Sequence, residues 1–143
     1  MNTTRQIVVG VDGSAAGQRA LRWALAEARR RNEPIQAVIA WRWDALEGLD
    51  VISSAAADEA AATLLRQIDA VPVSERWDVT IVKQVLEGRP GDVLTAAARD
   101  ADLLVIGSHG HSHRLQEVLG STAEECVRNA NCPVVVLPPT QPQ

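Results

Sequence analysis

Two hydrophobic patterns exchange places along this chain, and that exchange restricts the fold more than any other feature. Continuous apolar runs at "IVVGV" (7–11), "IQAVIAW" (35–41), "DLLVIG" (102–107) and "PVVVLPP" (133–139) lack the polar alternation of a half-solvated strand. Such strands are covered on both faces. Between them lie stretches whose apolar residues recur at three and four positions, the spacing of one helix face. Leu21, Ala24, Leu25 and Ala28 mark the first, within 14–32, and Ala57, Ala60, Ala61, Leu64, Leu65 and Ile68 mark the second. The third, 89–101, opens with Pro90, which is tolerated at a first helical position, and carries Val93, Leu94, Ala97, Ala98 and Ala101. Ala123, Cys126, Val127 and Ala130 mark the last. A further strand is predicted over 77–88, "WDVTIVKQVLEG", where β-branched residues at first alternate.

Strands alternating with helices call for a parallel sheet sandwiched between helical layers. Right-handed crossovers leave few topologies open. The expectation is a single α/β domain over residues 1–143, with three layers (α/β/α). The polar stretch 42–53 is long for a connection in such a unit and is expected to form a flap. Trp23 reads as core, Trp41 and Trp43 as packing beneath that flap, and Trp77 as the start of a strand.

Composition closes off several function classes. A chain of 143 residues, 46% hydrophobic, can bury its own core and does not have the make-up of a disordered one. No apolar stretch approaches the roughly 18 residues that cross a bilayer. The N-terminus runs into a strand-like segment without a signal-peptide pattern, so a cytoplasmic location without membrane attachment is expected. A net charge of −4 argues against general nucleic-acid binding, which needs a basic face. The run "EARRRN" (27–32) reads as the solvated end of a helix, where cations suit the dipole. Cys126 and Cys132, with no CxxC spacing, read as two reduced and mostly buried thiols.

In an open parallel sheet, ligands bind beyond the carboxyl ends of the strands where the strand order reverses. That rule selects the turns after the first and fourth strands. The fourth is followed by "GSHGHSHRLQEVLGST" (107–122), in which Gly107, Gly110, Gly120, Ser121 and Thr122 surround a nine-residue insertion. Glycines let a backbone approach a ligand closely or adopt positive φ. Turn amides and a helix N-terminus together offer donors and a partial positive charge to phosphate. Ser121 and Thr122 add hydroxyls, and Arg114 adds a cation within the loop. Read blandly, the glycines shape a turn and Ser121 caps a helix, but the whole arrangement at the end of a central strand favours phosphate.

A P-loop is excluded because no GxxxxGK[ST] occurs and Lys83, the single lysine, lies in a strand. The first turn, "VGVDGSAAG", has no GxGxxG fingerprint. It offers Asp12, followed by Gly13 and Ser14. An acidic side chain there can accept from ribose or adenine, or hold a divalent ion beside phosphates. It can equally form an Asx-turn or take part in capping a helix.

These two turns, with "LGSTAEECVRNANCPVVVLP" at the C-terminal end, resemble the universal stress protein family in its ATP-binding form. That family's pattern G-x2-G-x9-G-[S/T] is met by Gly107, Gly110, Gly120 and Ser121. The resemblance covers nearly the whole chain, although the middle third is generic. It implies a Rossmann-like five-stranded parallel sheet of order 3-2-1-4-5, ATP in the crevice, and a homodimer through the last strand (133–137); if ATP carries Mg2+, the chemistry of Asp12 makes it the candidate protein ligand. It places Gly10, Val11 and Asp12 toward the nucleoside, Ala40 and Ile106 along the adenine, and Gly107, His109, Gly110, Arg114, Gly120, Ser121 and Thr122 around ribose and phosphates. Ala40 is smaller than the valine common in the family, and Gly10 stands where some members have proline.

His109, His111 and His113 alternate, which in an extended segment would put them on one face, an arrangement that suits zinc or nickel. No Cys or acidic residue alternates among them, and the polar-loop reading is preferred, with only His109 near the ligand. No pair of groups resembles a general base with its orienting partner. The sequence is therefore read as a nucleotide-regulated stress-response module with at most slow ATP hydrolysis. The competing readings are a dedicated adenine-nucleotide hydrolase and a dimeric interaction protein without nucleotide.

Overall fold

Strand β1 (Ile7–Gly10) is the middle of the sheet, and its Ile7, Val8 and Val9 are fully buried. The computed structural model describes residues 5–42, 50–110 and 119–139, with the side chains of 50–54 left aside. β1 pairs in parallel with β2 (Ile35–Trp41) on one side, Ile7 opposite Ile35, and with β4 (Leu103–Gly107) on the other, Ile7 opposite Leu103. β3 (Ile81–Glu87) and β5 (Val134–Leu137) form the edges, giving the order β3-β2-β1-β4-β5. This is the all-parallel five-stranded sheet that the apolar runs and the resemblance called for.

Helices α1 (Ala15–Arg31) and α2 (Asp50–Asp69) cover one face. Their Leu21, Leu25, Leu64 and Ile68 pack on Ile7, Val9, Ile35 and Ile39. Helices α3 (Pro90–Ala97) and α4 (Ser121–Asn129) cover the other, where Val93, Leu94, Ala123 and Cys126 meet Val8, Val38, Leu104 and Ile106. Burying each such leucine or isoleucine is worth about 1.5–3 kcal/mol, so the two layers hold the sheet between them. α1 ends at Asn32 in the left-handed region (φ 55°), with Arg29, Arg30 and Arg31 in its last turn as the dipole favours. Cys126 is fully buried and Cys132 half-buried, both free, and burial pushes the Cys126 thiol up to about 11.

Several expected boundaries move. α2 begins at Asp50, so the tail of the supposed 42–53 flap is helical, and residues 43–49 with Trp43 lie outside the described residues. The third strand starts at Ile81 and not at Trp77. The chain from 73 to 79 turns instead, through a short 3-10 helix (Val73–Glu75), and leaves Trp77 73% exposed. Arg29 holds that turn, donating to both carboxylate oxygens of Asp78 and to Ser74 O. The helical stretch predicted over 89–101 ends at Ala97, although Ala98 and Ala101 still turn inward. Leu65 and Val127, expected inside, are 45% and 53% exposed. Trp23 and Trp41 are half-buried against the α1 and α2 layer.

Candidate functional site

The chain leaves β1 for β2 and β3 on one side and returns to β4 and β5 on the other. The reversal between β1 and β4 opens a crevice at their carboxyl ends. A cavity of about 530 Å3 occupies that crevice. Gly10, Val11 and Asp12 of the first turn line it, with Ala40 from β2, Ile106 and Gly107 from β4, His109 and Gly110 from the following loop, and Gly120, Ser121 and Thr122 at the start of α4. These sequence-predicted positions come from four separate stretches of chain, and the fold brings them to one place. Arg114, His111 and His113 lie outside the described residues. Trp41 is not among the lining residues and packs with the opposite layer from its neighbour Ala40.

The cavity lining is of two chemical kinds. Val38, Ala40, Leu94 and Ile106 are its aliphatic part, with Pro90 from the first turn of α3. Asp12, Ser108, His109, Ser121 and Thr122 are its polar part, with the backbone of Gly10, Gly107, Gly110 and Gly120. Val38, Pro90, Leu94, Ser108 and Ala123 were not legible as site residues. Aliphatic strand and helix positions look the same in sequence whether they face a core or a cavity. Ser108 had a faint signal, since it sits between Gly107 and His109, yet it is 5% exposed and its Oγ lies 2.9 Å from His109 Nδ1 in hydrogen-bond contact.

Both turns are held from within. Asp12 Oδ1 accepts from Ser14 N (2.9 Å) and from Ser14 Oγ (2.5 Å), and Ser14 Oγ in turn accepts from Gly17 N (3.0 Å), capping α1. The Asx-turn and capping reading of Asp12 and Ser14 therefore holds, while Asp12 also faces the cavity. In the second turn, Ser108 N donates to Leu137 O (2.8 Å) and Gly120 N to Ser108 O (2.7 Å), so the loop's two ends are clamped together. α4 differs from α1: its N-cap is Gly120, Ser121 is its first helical residue, and among the described residues no side chain caps it. Ser121 is thus not a cap. Its amide belongs to the group of N–H donors that a helix start leaves for an outside acceptor.

The glycines earn their place by crowding more than by torsion. Among described residues, positive φ occurs at Gly13 (84°), Gly88 (142°) and Asn32, not at Gly107, Gly110 or Gly120. A Cβ on Gly107 would stand 2.8 Å from the Ala16 carbonyl carbon, because α1 starts hard against the end of β4. A Cβ on Gly110 would stand 2.9 Å from Asp12 Oδ2, so the two turns meet at the cavity. Gly10 admits the Leu94 side chain, whose Cδ1 would lie 2.8 Å from an added Cβ.

The profile of the universal stress protein family matches residues 3–138. The chain belongs to the universal stress protein family. It is 33% identical over 135 residues to universal stress protein Rv2624c of Mycobacterium tuberculosis, an alignment covering 94% of this chain and 48% of that one. The chain thus spans about half the length of the mycobacterial relatives it matches. A universal stress protein in complex with cAMP superposes with a TM-score of 0.73 at 22% identity, covering 97% of this chain and 100% of the other. A universal stress protein from Archaeoglobus fulgidus in complex with dAMP does so with a TM-score of 0.61 at 24% identity, covering 95% and 99%. Among the described residues, no helix is long and apolar enough to cross a membrane, and no group of three or more His, Cys, Asp or Glu could hold a metal ion.

Proposed function

We propose that this family member binds an adenine nucleotide in the crevice between β1 and β4 and acts as a nucleotide-regulated module, not as a dedicated hydrolase. The observation that carries this reading is the pairing of an apolar slot (Val38, Ala40, Leu94, Ile106) with an amide-rich rim ending on the uncapped start of α4. A purine fits the first and phosphates fit the second. The family members solved with cAMP and dAMP support adenosine as the nucleoside. ATP is the proposed ligand, with the ribose near Asp12 and the phosphates along Gly107–Gly110 and Gly120–Thr122. The residues present fit Mg2+ only as a passenger. Asp12 is one carboxylate, so the remaining ligands would be phosphate oxygens and water. The slow-hydrolysis limit is supported by the lining, where among the described residues Asp12 and His109 are the titratable side chains and Asp12 Oδ1 is already engaged by Ser14. The same reading pairs two copies along the outer edge of β5, a strand bonded on one side only within the sheet, and keeps them in the cytoplasm.

Extraction of nucleotide from the purified protein tests the site. The expected result is adenine nucleotide in the wild type and its loss from Gly110→Val, whose side chain would project toward Asp12 Oδ2. Ser121→Ala is expected to weaken ATP binding about ten- to 150-fold, the effect of removing one bond to a charged group. Retention unchanged by both substitutions would remove the site. Turnover of many ATP equivalents, abolished in Asp12→Ala, would replace the binding module with the hydrolase.

A further inference from the structure

Gln67 sits near the C-terminal end of α2, at a position where the helix faces the core, yet it is an amide and only 8% exposed. Burying an amide is unfavourable unless its hydrogen bonds are met, and here they are met by the first-strand turn. Gln67 Oε1 accepts from Gly13 N at 2.8 Å, and Nε2 donates to Ser14 O at 3.1 Å and to Gln18 Oε1 at 3.0 Å. Gln18 Nε2 returns a bond to the Gln67 carbonyl at 3.0 Å. The side chain thus grips the turn on both sides of Gly13, with its left-handed φ of 84°, and Ser14, the residue that caps α1: it takes the amide that enters Gly13 and the carbonyl that leaves Ser14. Ser14 in turn donates twice to Asp12 Oδ1, and Asp12 lines the cavity. A short chain of contacts therefore runs from α2 through the turn to a carboxylate in the crevice.

We propose that Gln67 is a positioning residue for the crevice. It fixes the turn in which Asp12 meets the nucleoside, and by reciprocity it makes the order of the last turn of α2 depend on nucleotide occupancy. This rests on the adenine-nucleotide reading above. Gln67 touches no ligand and acts through Ser14 and Asp12. Its contribution belongs to the nucleoside end, so with Mg2+ withheld it is the same for a nucleotide with one phosphate or three.

The experiment is titration calorimetry of the full chain with AMP and with ATP. Gln67→Leu keeps the volume but leaves Gly13 N and Ser14 O without this partner, and is expected to weaken both ligands alike, about tenfold. Leu64→Ala, a cavity one helical turn away on the same face that removes no hydrogen bond to the first-strand turn, lowers stability and is expected to leave both affinities within about twofold. In an Asp12→Ala background, Gln67→Leu is expected to cost no further affinity, which a general loss of stability would not produce. Saturating AMP is expected to slow amide exchange at 66–70 in the wild type but not in Gln67→Leu. Should Gln67→Leu fail to fold, Gln18→Leu removes only the brace and is expected to weaken both ligands about threefold. Unchanged affinity in a folded Gln67→Leu or Gln18→Leu, or an equal loss in Leu64→Ala, overturns the positioning role and leaves the nucleotide site standing. A wild type that binds neither AMP nor ATP overturns the nucleotide reading and this role with it.

Discussion

At Gly107 the functional motif and the fold make separate demands on one residue. The sequence suggested that its lack of a side chain served a ligand. The structure shows that it first serves α1, whose Ala16 backbone would lie 2.8 Å from a Cβ at this position and whose Gly17 N would lie 3.0 Å away. Neither neighbour can yield, because both are main chain at the capped start of a helix. Gly107→Ala is therefore expected to destabilise by about 1–3 kcal/mol, the usual penalty of overpacking, read as a lower urea midpoint with an unchanged slope. Gly10→Ala is the contrast. Its Cβ would meet Leu94 Cδ1 and Cδ2 at 2.8 and 3.2 Å and Ile106 Cγ2 at 3.3 Å, chiefly the far end of a flexible side chain, so a smaller loss is expected. The reverse order of effects would show that the fit of α1 against β4 is looser than these distances say. The motif was legible because phosphate chemistry and close packing both ask for small residues at that spacing. The reason Gly107 is small was not, since it depends on a helix start at Ala16, far earlier in the chain.

Helix α2 marks where periodicity stops being a guide. A stripe drawn at three and four positions includes Leu64, Leu65 and Ile68, but the helix turns Leu64 (1% exposed) and Ile68 inward and leaves Leu65 45% exposed. Gln67 takes the inward place instead. An aliphatic-stripe rule cannot choose Gln67 over Leu65, because what rewards the amide is a pair of backbone groups at Gly13 and Ser14, more than fifty residues away. Leu64→Ala is expected to cost about 2–5 kcal/mol and Leu65→Ala less than about 0.5 kcal/mol, measured by chemical denaturation. Equal losses would return Leu65 to the core. The third strand failed for a related reason. The β-branched residues after Trp77 look like strand from the start, but Asp78 is claimed by Arg29 and pairing begins only at Ile81, opposite Ile35. Burial in the two-faced strands leaves a strong local signal, whereas an ion pair across layers leaves none.

Considered whole, the molecule is asymmetric along its strands. The carboxyl ends carry the cavity, and the amino ends carry a pair of carboxyl groups, Glu33 before β2 and Asp102 before β4. Glu33 is partly buried, and its Oε2 makes no hydrogen bond among the described residues. Burial is the main cause that pushes its carboxyl above the usual range, followed by the hydrogen bond and charge of Asp102, with Arg31 and Arg5 pulling the other way. A carboxyl raised in the folded state holds its proton where the unfolded chain has lost it. Its contribution to stability is complete below the ordinary glutamate value and disappears as pH rises through the raised one. Asp78, lowered chiefly by its bond to Arg29, has the opposite sign and loses its contribution as pH falls. Glu33→Gln keeps the shape and removes the titration. Its stability relative to the wild type is therefore expected to improve as pH rises from about 4.5 toward neutrality. Urea midpoints of both proteins at the two ends of that range measure the difference. A difference that stays constant with pH would mean that Glu33 ionises in the folded chain as it does in water. The cavity end is a separate matter in the same experiment. It lies at the far end of β1 and β4 from this pair, so a nucleotide added at either pH should raise both proteins' midpoints by the same amount.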